Sequence, residues 1–230
     1  MKIKPTVTEI AGSLENERVI LKKVGIFNRA AGLLNCRATR ASMGSMDILD
    51  TDRLWLRTWD GVTDLERACS LWGDPAVMTF LGGVLGREKI QEKLQFEMVC
   101  QEKNGVQYWP IFEKQTDEFV GCCGLRPWVY SPPEGYELGF HLLKAKWGHG
   151  YAFEAAQGVV HHGFEQLQFP VLRAGHHPDH VNSKKILVKL GFQFVNEVFY
   201  KPTGLMHPTY KLVRGENTRP TPDQSSIGAM

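Results

Sequence analysis

Lys146-Trp147-Gly148-His149-Gly150-Tyr151-Ala152 is the stretch on which the fold turns. It lies between an alternating, strand-like segment, Tyr136–Leu143, and a segment of helical period that begins at Tyr151. The first turn of a helix leaves backbone amides without partners, and the aligned peptide dipoles add partial positive charge there. Glycines at such an entry let the backbone come close to an anion. A pyrophosphate could be held by the amides of Trp147–Ala152, with Lys146 or His149 adding a side-chain donor. Read alone, the same residues are also compatible with an ordinary glycine-containing connection.

Outward from the turn, apolar or small residues recur at Ala152, Ala155, Ala156, Val159, Val160, Gly163, Phe164 and Leu167. That stripe predicts a helix over Tyr151–Leu167 with a buried face. Gly158 and Gly163 each cost roughly 1 kcal/mol relative to Ala inside a helix, which points to close packing against a sheet. Upstream, Tyr108–Lys114, Phe119–Pro127 and Tyr136–Leu143 read as three strands. Their short connections suit an antiparallel meander. Leu54–Arg57 alternates as a strand, Val62–Trp72 reads as a helix stopped by Gly73-Asp74-Pro75, and Arg87–Lys103 as a second helix ended by Asn104-Gly105. Downstream come a strand at Val171–Ala174, a helix at Ser183–Leu190 closed by Gly191, and strands at Phe194–Tyr200 and Thr209–Val213. The fold class is a mixed α/β (α+β) domain over residues 47–214.

The flanks differ. Residues 1–46 carry Lys2, Lys4, Arg18, Lys22, Lys23, Arg29, Arg37 and Arg40 against only Glu9, Glu15 and Glu17. They read as a poorly ordered, dispensable basic extension, with an organellar presequence as the alternative. Residues 215–230 are rich in Pro, Ser, Thr and Asn and read as a disordered tail. The 230-residue chain is 43% hydrophobic and 23% charged, with a net charge of +2. Those values describe a soluble globular protein and give no argument for nucleic acid or membrane as a partner. Cys36, Cys69, Cys100, Cys122 and Cys123 are odd in number and lack framework spacing, so they read as reduced and mostly buried, which suits a cytoplasmic compartment.

Four segments, in order, carry a resemblance. The turn has the form x-Gly-x-Gly-x-Ala and resembles motif A of the GCN5-related N-acetyltransferase (GNAT) superfamily. The run from Ser183 to Leu190-Gly191-Phe192 resembles that superfamily's Ser-led helix ending in Leu-Gly-Phe. Thr51-Asp52-Arg53-Leu54-Trp55-Leu56-Arg57 and Glu137-Leu138-Gly139-Phe140 are similar to segments of its RimJ/RimL-like branch. The resemblance implies a partly splayed central sheet flanked by helices, with acetyl-CoA as cosubstrate in the splay between the strands at Tyr136–Leu143 and Val171–Ala174. It implies that the backbone near Phe140, Leu142 and Leu143 pairs with the pantetheine arm. Trp147, Gly148, His149, Gly150, Tyr151 and Ala152 would hold the pyrophosphate, with His180, Asn182 and Ser183 at the other coenzyme contact. His180 stands where the family usually has Asn, and Asn182 could instead cap the helix.

The implied reaction is direct attack of a primary amine, on a protein N-terminus or a small molecule, on the thioester. A base must take the amine's proton and an acid must protonate the thiolate. Glu137 is the candidate base, or else a solvated or salt-bridged strand residue. Ser183 is the candidate acid, or else a helix cap. Acceptor contacts would come from the first two helices, the Phe80–Gly86 connection and the Trp128–Gly135 loop. The chain would act as a monomer or homodimer. A non-catalytic acyl-CoA-binding sensor or scaffold of the same fold is the alternative. Although eight histidines are present, none has metal-site spacing, and neighbours such as His161 and His162 leave a helix in different directions. No metal is expected.

Overall fold

The computed structural model describes residues 46–131 and 134–215. The expectations for residues 1–45 and 216–230, which cover nearly all of the basic extension and the tail, lie outside them. A single sheet forms the frame. Its strands are β1 (Asp47–Asp50), β2 (Leu54–Arg57), β3 (Tyr108–Glu113), β4 (Phe119–Pro127), β5 (Tyr136–Leu142), β6 (Val171–Gly175), β7 (Gln193–Tyr200) and β8 (Leu205–Val213). Their order is β1-β2-β3-β4-β5-β6-β8-β7. Every pairing is antiparallel except β5 with β6. The helices are α1 (Leu65–Trp72), α2 (Pro75–Met78), α3 (Arg87–Asn104), α4 (Tyr151–His161) and α5 (Val181–Lys189). The fold class is therefore as the sequence indicates: mixed α/β, with helices on both faces of an open sheet.

Several elements depart from the sequence reading, among them β1, the first helix and the long helix. β1 is too short to show a period, yet it pairs along β2. The first helix begins at Leu65 and not at Val62, because the Asp60 carboxylate accepts the amides of Val62 and Thr63 and holds them in a turn. The long helix changes to a π turn at His162–Gln166. Both of its glycines lie where the sheet presses on it. A Cβ at Gly158 would meet Thr51 Cγ2 at 3.0 Å, and one at Gly163 would meet Leu125 Cδ1 at 3.1 Å.

The sheet separates two apolar cores. One joins β3, β4 and β5 to α4 through Trp109, Cys123, Leu125, Leu138, Ala155 and Val159. The other joins the opposite sheet face to α1, α2 and α3 through Trp59, Trp72, Met78, Ile90, Leu94, Tyr108 and Cys122. Cys122 and Cys123 thus serve opposite faces, as strand alternation requires. Both are free thiols, as are Cys69 and Cys100, while Cys36 lies outside the described residues. Among the described residues, no helix is long and apolar enough to cross a membrane.

Candidate active site

β5 and β6 pair only at Tyr136↔Leu172 and Glu137↔Arg173. Beyond these positions β5 runs on to Leu142 and β6 to Gly175 without pairing to one another. The backbone of Leu138–Leu142 therefore has a sheet partner on its β4 side alone. A cavity of about 750 Å³ fills this splay, bounded by β5, the turn at residues 146–152, the start of α5 and the α1–α2 side of the molecule.

At one end of the cavity lies the glycine turn. Gly148 and Gly150 have φ of +79° and +81°, a region that disfavours any side chain. Nothing lies within 4 Å in front of Gly148, and only Arg53 Nη2, at 3.5 Å, faces Gly150. The amides from Gly148 to Phe153 donate to no acceptor among the described residues; the first helical bond of α4 runs from Glu154 to the Gly150 carbonyl. The turn is held from outside. Arg53 donates from Nη1 to the His149 carbonyl at 3.0 Å and from Nε to Glu154 at 2.7 Å. Thr51 adds a hydroxyl bond of 2.6 Å to the same carboxylate. Burial works against that carboxylate, and the Thr51 and Arg53 bonds outweigh it, holding Glu154 below the usual range.

Lys146 donates to Glu113 and Glu118, so its ammonium is committed to two carboxylates. Tyr151 donates to Glu113 and packs at the helix start. The His149 ring stacks on Tyr151, away from the cavity lining, and Leu143 also stands outside that lining. Phe140, Leu142, Trp147, Gly148, Gly150, Tyr151, Ala152, His180, Asn182, Ser183 and Glu137 all line the cavity. The Trp147 indole donates to the Leu142 carbonyl at 2.8 Å and so occupies one acceptor of that strand edge.

The floor of the cavity is polar, with Lys93, Glu97 and Arg126 buried and Glu137 and His141 half-buried. Glu137 lies opposite Arg126 in the β4–β5 register. Burial pushes its carboxyl above the ordinary range, while Arg126, Tyr108 and Lys93 pull the other way. Arg126 is paired with the fully buried Glu97 of α3, which also accepts the Tyr108 amide at 2.9 Å. His141 receives the Trp72 indole proton at Nδ1, 3.2 Å away. Burial, followed by the Lys93 and Arg126 charges, drives its pKa down to about 3. The ring is therefore neutral at physiological pH, with its proton on Nε2.

On the far side, His180 caps α5: its Nδ1 accepts the Ser183 amide at 3.1 Å. The helix therefore begins at Val181, two residues before the predicted start, and neither Asn182 nor Ser183 supplies the cap. The Ser183 hydroxyl makes no hydrogen bond to the described residues and borders the cavity. No group of three His, Cys, Asp or Glu among the described residues could hold a metal ion.

The sequence profile described as "Acetyltransferase (GNAT) domain" matches residues 53–193 of this chain. The chain belongs to the GNAT acetyltransferase family. Among its relatives is an uncharacterized N-acetyltransferase, p20, of Bacillus licheniformis, 30% identical over 151 residues, covering 64% of this chain and 83% of that protein. A GNAT-family acetyltransferase from Bacillus anthracis superposes with a TM-score of 0.62 at 21% identity, covering 73% of this chain and 98% of the other. The structure of RimL, a ribosomal L7/L12 alpha-N-protein acetyltransferase in complex with coenzyme A, superposes with a TM-score of 0.61 at 13% identity, covering 73% and 98%. At such identities the superpositions speak to the fold.

This GNAT protein is an N-acetyltransferase. Its cavity contains groups that sequence reading passed over. His141 alternates with Glu137 and Gly139 along β5, so a strand-face argument could have found it. Lys93 and Glu97 share a face of α3 at helical spacing, yet a charged pair on a helix ordinarily marks solvent. Arg53 lay inside a quoted segment, but only the tertiary contact with His149 and Glu154 reveals that it braces the turn.

Proposed function

We propose that this N-acetyltransferase moves the acetyl group of acetyl-CoA to a primary amine by direct attack, with the donor seated along the β5–β6 splay. The observation that carries this reading is the run of unpartnered amides from Gly148 to Phe153, at the end of a strand edge that is itself unpaired. Such a run, at the positive end of an 11-residue helix, suits a pyrophosphate. The edge of Leu138–Leu142 offers the peptide groups along which a pantetheine arm could lie as an added strand. That a RimL acetyltransferase of similar fold forms a complex with coenzyme A supports the choice of donor.

In this reading Glu137 takes the amine proton. Its pKa, raised by burial, brings its proton affinity closer to that task. His141, tied to Trp72 and with its pKa lowered to about 3, stays neutral in the working range of the enzyme. The Ser183 hydroxyl, without a hydrogen bond among the described residues, protonates the departing sulfur. His180, committed through Nδ1 to the α5 cap, meets the donor through its ring and through Nε2. The RimJ/RimL-like character of the branch and a cytoplasmic setting belong to the same reading, supported by the RimL likeness and by the free thiols.

Isothermal titration with acetyl-CoA, paired with thiol release across an amine panel, tests it. Wild-type protein should bind saturably and release thiol only with an amine present. Gly150→Glu, which sets an anion at the turn, should lose binding while remaining folded. Unchanged affinity in that folded variant would sink the placement.

A further inference from the structure

The connection from α2 to α3, residues 79–86, does more than link two helices. Its Phe80 ring meets the His180 ring edge-on at 4.6 Å, with the planes 61° apart, and lies 5.0 Å from the His177 ring. Two residues on, Gly82 backs onto the turn between β7 and β8, so close that a Cβ there would stand 2.7 Å from Pro202 Cβ. A segment from the helices on one side of the splay thus reaches the loop that opens α5 on the other. Phe80, His177 and His180 all border the cavity.

That loop is fastened by its own histidines. His177 Nδ1 accepts the Asp179 amide at 3.1 Å, and the His177 carbonyl accepts the His180 amide at 2.9 Å. The His207 ring of β8 packs on His177 at 5.4 Å and is itself bonded to the Thr203 hydroxyl at 2.8 Å. His180 Nδ1 then accepts the Ser183 amide at 3.1 Å. This cap needs an unprotonated Nδ1. Burial holds the His180 pKa below its ordinary value, so the ring is neutral at physiological pH. The cap also needs one ring orientation, because turning the imidazole carries Nδ1 out of line with the amide. Phe80 holds that orientation from across the splay.

We propose that Phe80 is a positioning residue for the acid step: it holds the His180 ring, the ring holds the first turn of α5, and that turn aims the Ser183 hydroxyl at the departing sulfur. This rests on the acetyl-transfer reading above, with Ser183 as the acid. In that step the carbon–sulfur bond breaks, and the sulfur keeps the electron pair and takes the Ser183 proton. The amine's proton goes to Glu137, Glu137 releases it to water, and water returns one to the Ser183 oxygen. A misplacement of about 1 Å can cost about a hundredfold in rate, so a wall contact with no chemistry of its own weighs on turnover. The same contact gives histidine a use at position 180. Asparagine is also a good helix cap, but it has no ring for Phe80 to hold.

The test reads kcat of the full chain with saturating acetyl-CoA and the fastest acceptor found in the amine panel. Phe80→Ala should lower kcat about tenfold, with the acetyl-CoA Kd within about threefold. Phe80→Tyr, which keeps the ring, should stay within about twofold of the wild type, and Phe80→Leu, which keeps bulk without a ring, should not. In a Ser183→Ala background, itself slower, Phe80→Ala should cost less than about twofold more, since the group it positions is gone. His180→Asn should likewise erase most of the Phe80→Ala effect. A merely structural contact would cost the same factor in every background. An equal loss in the wild-type and Ser183→Ala proteins therefore overturns the proposal, as does full kcat in a folded Phe80→Leu variant. If Phe80→Ala does not fold, the leucine variant carries the same comparisons. Unaltered kcat in Ser183→Ala alone defeats the acid assignment, and lack of acetyl-CoA binding by calorimetry defeats the donor reading; both are seen before Phe80 is changed.

Discussion

The phenol of Tyr108 lies directly over Gly139: a Cβ at that glycine would fall 2.3 Å from Tyr108 Cζ and 2.4 Å from its hydroxyl oxygen. β5, in the middle of the sheet, gives up a side chain so that an aromatic ring from β3, two strands away, can reach across the cavity floor. There it meets the His141 ring edge-on at 5.7 Å and the Arg126 guanidinium at 3.9 Å.

Gly139→Ala should therefore act on Tyr108. The ring is buried and cannot swing aside without disturbing Arg126 and His141, so overpacking should cost about 1–3 kcal/mol. Chemical denaturation should show that loss with an unchanged slope. The acid limb of turnover should move as well, because the Tyr108 hydroxyl is one of the groups that lower the Glu137 pKa. A variant as stable as the wild type would remove Tyr108 from this role.

Glu137→Gln should lower kcat by roughly 10²–10⁴, the usual worth of a general base, with acetyl-CoA affinity within about twofold. In the wild type, kcat should rise with pH as Glu137 ionises. Burial raises its pKa, so the limb lies above the ordinary carboxylate range. The variant should lose that limb. Equal turnover by the two proteins would take Glu137 out of the mechanism.

Arg53→Met keeps much of the aliphatic packing over Tyr151 and deletes the bonds to the His149 carbonyl and Glu154. The turn should then sample other conformations, and acetyl-CoA affinity should fall about three- to thirtyfold. The loss of stability should be about 1 kcal/mol or less, since the pair is half exposed on the arginine side, with a side-chain exposure of 47%. Titration calorimetry and thermal melts report the two effects separately. Lysine cannot make both bonds, so Arg53→Lys should resemble the methionine variant.

His141 predicts acid lability. Its pKa is about 3 in the folded protein against an ordinary value of 6.5. Below pH 6.5 the unfolded chain takes up a proton that the folded chain refuses, so stability is complete above that value and falls as pH drops towards 3. His207, lowered to about 4 by burial and by its His177 and His176 neighbours, adds to the same slope. Tm should fall by on the order of 5 °C or more between pH 6.5 and 4, and less steeply in His141→Gln. Parallel slopes in the two proteins would show that the imidazole ionises elsewhere.

Much of the frame was legible because it is local. Alternation marked the meander β3–β4–β5, the helical stripe marked α4, and Gly148 and Gly150 marked a turn that only a positive φ explains. The quoted segments placed the turn, the Glu137 strand and the Ser183 helix around one cavity, all of which they line. β1 escaped notice because four residues carry no usable period. The start of α5 was misjudged because His180 is an uncommon cap.

By itself, then, the amino-acid sequence determined the mixed α/β architecture and a glycine-bearing turn at a helix start. Periodicity and the steric freedom of glycine act within a few residues, so both can be read along the chain. Only the tertiary structure decided the chemistry around that turn. Lys146 is committed to Glu113 and Glu118, Arg53 braces the backbone from the turn before β2, and Phe80 and Gly82 pack against His180 and Pro202. Each of these depends on which distant side chain arrives within bonding distance, and on how much water the packing leaves around it. Burial of Glu137 and His141 belongs to the same class, because desolvation is a property of the assembled cavity floor and of no single segment.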